Sequence, residues 1–243
     1  MSETARPAFY ALAPGGWRDY VTLLHPPYTA WHLSYVAIGA AIAPHFRAWV
    51  LGLALAAFFL GMGIAAHALD ELHGRPLETR IPRRGLIALA VVSLAGAAAI
   101  GVVTALYTNL WLLALVAAGT FIAVAYNLEL FGGRFHGDLW FALAWGAFPV
   151  LATYFAMAET VRVEAILAAA FAAFYSHAQR LLSTPVRRLR RQARNVSGRI
   201  DLVDGTTIPI TRASLTADAE RALRMLTAAV IALAVALVLL RVT

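Results

Sequence analysis

Long apolar runs separated by short polar joints dominate the chain. Seven stretches, approximately residues 28–46, 48–69, 86–107, 109–130, 139–158, 163–183 and 222–241, are each apolar over about 20 residues, the length that crosses a hydrocarbon core. Joints such as "HFR" and "YTN" are short enough to make helical hairpins. One long polar segment, residues 184–221, breaks the pattern. Its first part, "TPVRRLRRQARN", reads as a basic stretch lying against lipid headgroups. The next, "RIDLVDGTTIPI", alternates on both sides of Asp204-Gly205 and predicts a β-hairpin, because glycine takes positive φ at little cost. "SLTADAERALRML" then predicts a helix start, with Thr216 as N-cap and Asp218 and Glu220 in the first turn.

The pattern therefore predicts an all-α fold, a polytopic transmembrane bundle of about seven spans. Residues 1–27 form an N-terminal segment and 28–183 a six-span bundle. Residues 184–221 form a cytoplasmic basic segment with a hairpin, and 222–243 the last span. Composition supports the bilayer. The 243 residues are 61% hydrophobic and 14% charged, with a mean hydropathy of +0.71. A soluble domain is about a quarter charged, so polar surface is too scarce here to cover a water-soluble globule. Residues 1–27 carry Arg6, Arg18, Asp19 and four prolines and have no apolar core of the kind a cleavable signal needs.

Every basic residue is arginine, and the arginines are unevenly shared. One set of joints holds Arg6, Arg18, Arg75, Arg80, Arg83, Arg84, Arg134 and the run from Arg187 to Arg224; the other holds Arg47, Arg162 and Arg241. The excess of positive charge on cytoplasmic loops then puts the N-terminus inside and the C-terminus outside, in a bacterial or archaeal cytoplasmic membrane. The net charge of +7 fits anionic headgroups as partners. The run Arg187, Arg188, Arg190, Arg191 and Arg194 has no interleaved aromatics, which argues against nucleic acid. Without cysteine there are no disulfides, thiolate nucleophiles or Cys-ligated metals.

The scarce ionisable groups gather where the second apolar run ends, in "AHALDELHGRPLETRIPRRG". His67, Asp70 and Glu71 are spaced i, i+3 and i+4, which places them on one helical face, with His73 one turn beyond Asp70. Two readings stand side by side: a solvated helix end balancing its arginines, or a site where carboxylates hold a cation beside arginines that hold an anion. Oxygen ligands suit magnesium, which keeps its waters and bridges to phosphate. The mixed set His67, Asp70, Glu71 and His73 also suits zinc or iron in a lipid hydrolase or oxidase. Arg75 and Arg80 would grip a diphosphate from the other side. Tyr126, Asn127 and Glu129 at the fourth run's end, with Arg134, His136 and Asp138 after it, either close the same mouth, Arg134 as a second diphosphate anchor, or form a polar turn at Gly132-Gly133; Arg180 in the sixth run either contacts a diphosphate or headgroup or snorkels to the interface. His32 reads as a packing histidine, and His25 as a helix entry. Ser176-His177 makes no nucleophile pair, since helical neighbours point about 100° apart.

Here the chain resembles the UbiA superfamily of intramembrane prenyltransferases. The resemblance rests on "LLHPPYTAWHLSYVAIGAAIAP", on the helix ending "GIAAHALDELHGRPLETRIPRRGL", and on "AYNLELFGGRFHGDLWFALAWGAFPVL", and it covers roughly residues 20–180. Asp70 and Glu71 stand in the region of the family's aspartate motif, His67 near its asparagine, and "GRPLETRIP" in the place of the family's "RPL" segment. The sequence departs from the family in three ways. Only two adjacent carboxylates are present, the sixth helix is followed by arginines rather than a second aspartate motif, and the spans number seven rather than nine. Asp201 and Asp204 lie some twenty residues beyond that motif's place. The resemblance implies ionisation of an isoprenyl diphosphate, with magnesium on the leaving group, and either transfer to a lipophilic acceptor or cyclisation. It makes Asp70, Glu71 and His67 the catalytic candidates. Phe148, Trp145, Tyr154, Trp140 and Tyr175 are the aromatics available to face an allylic cation. A non-catalytic relative that binds a prenyl lipid or stabilises a partner is the alternative its degenerate motif implies.

Overall fold

The computed structural model describes residues 6–243. Residues 1–5 of the N-terminal segment lie outside the described residues. Among those described, eight helices run in chain order: α1 Trp17–Leu23, α2 Pro26–Ile42, α3 Ala48–Leu72, α4 Arg83–Tyr107, α5 Leu112–Asn127, α6 Asp138–Ala158, α7 Val163–Arg191 and α8 Arg212–Val242. Between α7 and α8 stand β1 Arg199–Asp201 and β2 Thr207–Pro209. Helices α3 and α6 each widen into a π-helical stretch, at Phe59–Ala66 and Ala142–Ala147.

Four helices, α3, α4, α6 and α8, are long and apolar enough to cross a membrane, and α5 is a shorter apolar helix. They leave apolar side chains such as Val91, Val92, Leu106 and Leu240 exposed, as lipid-facing surfaces do. Helix α2 is the inner element. Trp31, Tyr35, Val36 and Ala40 are fully buried on it, packed against α6, α7 and α8 around Val150, Ala172 and Val230. Small residues set the separations. A side chain on Gly39 would collide with the carbonyl of Val150, and one on Gly146 would come within 2.5 Å of the Ala172 carbonyl oxygen. Close backbone approach of this kind is what packs helices in lipid, where the hydrophobic effect gives them no reason to associate. Polar pairs add to it. Trp31 Nε1–H (2.6 Å) and the Ser176 hydroxyl (3.0 Å) both donate to Tyr35 Oη, joining α2 to α7.

At the end of the bundle where α2 and α6 finish, two of the three arginines on the arginine-poor side serve the backbone. Arg241 donates to the carbonyls of Ala41 (2.6 Å) and Ala43 (2.9 Å), and Arg47 to those of Ala156 (2.8 Å) and Met157 (2.7 Å). Helix C-termini carry unpaired carbonyls and a partial negative charge, so a guanidinium there satisfies both.

The polar segment corrects two expectations. The basic stretch is not a segment apart from the sixth run: it continues α7 through Pro185 to Arg191. Arg190 and Glu220 form a buried ion pair at 2.6 Å, which draws α7 and α8 together. The last helix starts at Thr211, not Thr216. The Thr211 hydroxyl accepts from the Ser214 N–H and the Ser214 hydroxyl accepts from the Thr211 N–H, a capping box, whereas Thr216 bonds back to the Arg212 carbonyl inside the helix. The hairpin forms as expected, with Ile200 opposite Ile208 and Gly205 at φ 84°.

Candidate functional site

At the other end of the bundle, a cavity of about 470 Å³ opens between the start of α2, the ends of α3 and α5, the start of α6 and the last turns of α7. Residues 7–10 of the N-terminal segment run along its edge. From α2 and α3 it receives His25, His32, His67 and Asp70, and from α7 Gln179, Arg180, Arg187 and Arg191. Residues 180, 187 and 191 fall at i, i+7 and i+11, so continuing α7 past Pro185 aims all three guanidinium groups along one face.

His67 Nδ1 meets the Gly63 carbonyl at 3.0 Å, four residues earlier on the same helix. Nδ1 must carry the hydrogen to donate there, which leaves Nε2 with its lone pair. The His67 ring stacks on His25, centroids 3.9 Å apart and planes 13° from parallel. Burial, and then the neighbouring His67, hold His25 well below its ordinary value, so it stays a neutral imidazole. His32 and Gln179 are 7% and 3% exposed, yet His32 Nε2 and Gln179 Oε1 have no hydrogen-bond partner among the described residues, and neither does His25 Nε2. Asp70 accepts no hydrogen bond among the described residues; Arg191 and Arg187 are the cations that act on it most strongly.

The sequence-predicted residues divide. His67 and Asp70 line the cavity together; Glu71 does not. It is fully buried behind the helix, where its carboxylate accepts the N–H of Leu77 (3.0 Å), the N–H of Thr79 (2.8 Å) and the Thr79 hydroxyl (2.8 Å). The one-face reading fails on geometry. Measured from His67, i+3 and i+4 fall on opposite sides of its direction, leaving Asp70 and Glu71 about 100° apart. The expected metal quartet therefore does not converge, and among the described residues no three His, Asp or Glu groups are placed to hold an ion. Arg75 is likewise spent on the loop, donating to the Thr79 (2.8 Å) and Ile81 (3.0 Å) carbonyls. The Arg80 N–H donates to the buried carboxylate of Asp19 at 3.0 Å, while its side chain is exposed and away from the cavity; Arg134 also lies outside the cavity lining. His73 sits on the rim, with Glu129 and His136.

Tyr126, Asn127 and Arg180 do reach the cavity. Arg180 is oriented by the Asp138 carboxylate and by the Tyr126 hydroxyl at 2.7 Å, over the ring of Phe141. Asn127 donates to the Ala123 carbonyl at 2.7 Å. Arg187 donates to the Thr184 hydroxyl at 3.1 Å, and Arg191 to the Pro7 carbonyl at 3.3 Å. Of the aromatics, Trp145 borders the cavity; Tyr154 is bonded to Glu164 at the far end of the bundle and Tyr175 to the Leu226 carbonyl.

An apolar groove of about 120 Å³ lies deeper, between α3, α4, α5 and α6, lined by Phe58, Leu94, Val116 and Phe148 among others. It shares Met62 and Trp145 with the polar cavity. The polar cavity and the apolar groove thus adjoin at those two side chains. The donor set does not fit a protein-held zinc or iron ion. It fits hydrated magnesium arriving on a phosphate, which takes one or two carboxylates and keeps several waters; Asp70 supplies one carboxylate.

No protein-family model, no curated protein and no solved structure matches the chain.

Proposed function

We propose that this membrane protein is a UbiA-like transferase or cyclase acting on an isoprenyl diphosphate. In this reading seven helices span the bilayer, the N-terminus and the cavity mouth face the cytoplasm, and the membrane is that of a bacterium or archaeon. One observation carries the reading: a cavity with three arginines and a free carboxylate adjoins an apolar groove across Met62 and Trp145. An amphiphile with an anionic head has the matching division.

Arg187 and Arg191 receive the diphosphate, with Arg180 held ready by Asp138 and Tyr126. Asp70 would hold a magnesium ion arriving on the diphosphate, and the ion would supply charge neutralisation of the leaving group. As the carbon–oxygen bond breaks, positive charge on the allylic carbon lies near the π-face of Trp145, in space the apolar groove keeps dry. Guanidinium groups matter most here because they meet charge that grows as the bond cleaves.

The test is product analysis of the full chain in nanodiscs with farnesyl and geranylgeranyl diphosphates and magnesium. Asp70→Ala and Arg187→Leu should each lower turnover at least 100-fold, about 2.7 kcal/mol of lost stabilisation, with normal membrane insertion. Unchanged turnover in both variants would remove the reading. Asp70 stands without a second carboxylate deep in the cavity, and this favours one rival, a non-catalytic prenyl-lipid binder. Tight binding with no product from any diphosphate or acceptor would select it.

A further inference from the structure

The polar cavity is closed on one side by a stretch of chain that belongs to no helix. Residues 7–10 border it, together with Arg187 and Arg191 of α7. Tyr10 stands edge-on to Tyr28 of α2, centroids 5.5 Å apart, and its ring lies 5.3 Å from that of His25. Phe9 stands edge-on to Tyr10 at 5.3 Å, with the Arg224 guanidinium 5.1 Å from its centroid. Arginines of α7 hold the backbone. Arg191 Nε–H donates to the Pro7 carbonyl (3.3 Å) and Arg190 Nη1–H to the Arg6 carbonyl (3.2 Å). One guanidinium that the reading above gives to the anionic head is therefore already engaged by a neutral carbonyl.

Little else fastens this stretch. It rests on a small buried cluster, Ala8, Ala11 and Leu77, and the Leu12 N–H donates to the Thr22 hydroxyl at 3.0 Å. Few buried apolar contacts mark segments that open at low cost. The stretch ends at Gly15 and Gly16, at φ 119° and 63°, with open space where a side chain would stand. Glycine moves through such backbone freely. The base of this joint is fixed: one oxygen of the buried Asp19 carboxylate accepts the Gly15 N–H (2.9 Å) and the other the Arg80 N–H (3.0 Å).

We infer that residues 6–14 are a self-inhibiting strap, which covers the mouth of the cavity, holds Arg191 through the Pro7 carbonyl, and swings out about Gly15-Gly16 to let an anionic head bind. The inference rests on the anionic-head part of the reading above and needs no prenyl tail. A phosphate oxygen is a charged acceptor, and its bond to a guanidinium is about twice as strong as one to a neutral carbonyl. It therefore displaces Pro7 from Arg191. Arg190 keeps Glu220 when the Arg6 carbonyl leaves, so opening strands no buried cation there. Phe9 and Tyr10 leave Tyr28 and His25 with the backbone, which uncovers the space that Arg187 and Arg191 line. A mouth open about one-tenth of the time weakens apparent affinity about tenfold, so the strap sets how readily the site fills.

The experiment uses the full chain in nanodiscs, with inorganic diphosphate and geranylgeranyl thiodiphosphate, each with magnesium, as probes and calorimetric titration as the readout. The chain has no cysteine, so Ala8→Cys with Leu77→Cys introduces a single thiol pair between the strap and the loop beneath it. Joining that pair, by oxidation or through a short bismaleimide, should weaken both probes about tenfold or more against the unjoined variant. Phe9→Ala with Tyr10→Ala should bind both about tenfold tighter than the parent. In the unmodified chain, either probe should speed amide hydrogen exchange at Leu12, whose N–H loses Thr22. Equal affinity in the joined and unjoined forms, or unchanged or slower exchange at Leu12 on binding, overturns the strap and leaves the prenyl reading standing. Binding by the alanine variant but not by the parent supports the strap. Absence of binding in every form, the alanine variant included, overturns the anionic-head reading instead.

Discussion

Asp70 and Glu71 are neighbours in the chain and belong to two different regions. Behind the end of α3, the loop from His73 to Pro82 is closed on itself. Glu71 holds Leu77 and Thr79, Arg75 holds Thr79 and Ile81, and Asp19 holds Arg80. Gly74, Arg75 and Glu78 sit at φ 97°, 50° and 56° in that loop, backbone that non-glycine residues take only when their surroundings over-determine it. In front of the same helix end, Asp70, the imidazoles and Gln179 have polar atoms left over. The difference lies in the presence of orphan backbone N–H groups. A carboxylate beside such groups is consumed by the architecture, and one beside open space is kept for something else.

Glu71 is where this contrast meets its severest test. Glu71→Ala strands three buried donors, and we expect a stability loss of about 3 kcal/mol, read as a lowered unfolding midpoint in detergent. Arg75→Met frees two carbonyls in a more exposed setting and should cost about 1.5 kcal/mol in the same assay. On the cavity side, the sign of a pH response is the informative quantity. His25 is held neutral in the folded protein, below the 6.5 of an unfolded chain. The unfolded state therefore binds more protons as pH falls below that value, and stability drops. Melting curves between about pH 8 and pH 5 should show that acid loss, and His25→Phe should reduce it. Asp70→Asn has the smallest expected effect, within about 0.5 kcal/mol of the parent, because no native bond is removed. A large loss there would mean that Asp70, too, is structural.

Periodicity and composition made the helical membrane character and the Asp204-Gly205 hairpin legible, because both are local consequences of side-chain order. The site was legible at its cavity-lining members, His67, Asp70, Tyr126, Asn127 and Arg180, with His73 and Glu129 at the rim. Glu71 and Arg75 misled because spacing on a helix cannot say which backbone donors a later loop will bring to a given side chain. Arg187 and Arg191 read as a headgroup strip, because a run of arginines beyond an apolar span carries no sign of which face packs inward; the i, i+7, i+11 spacing from Arg180 was the available signal. His25 and His32 carry no local signal, since their orphaned nitrogens exist only after α2, α3 and α7 have packed.

The wide stretch of α3, Phe59–Ala66, lies just before the residues that matter. A π turn holds one more residue than an ordinary one, so a helix can store an insertion there without twisting the turns beyond it. Removing one residue from an ordinary turn would rotate everything past it by about 100° and swing Asp70 out of place. Removing one from this stretch lets the spiral tighten and keeps His67 and Asp70 on the same bearing. Kindred chains can therefore differ in length by one residue at this point and still aim their carboxylate at the same place.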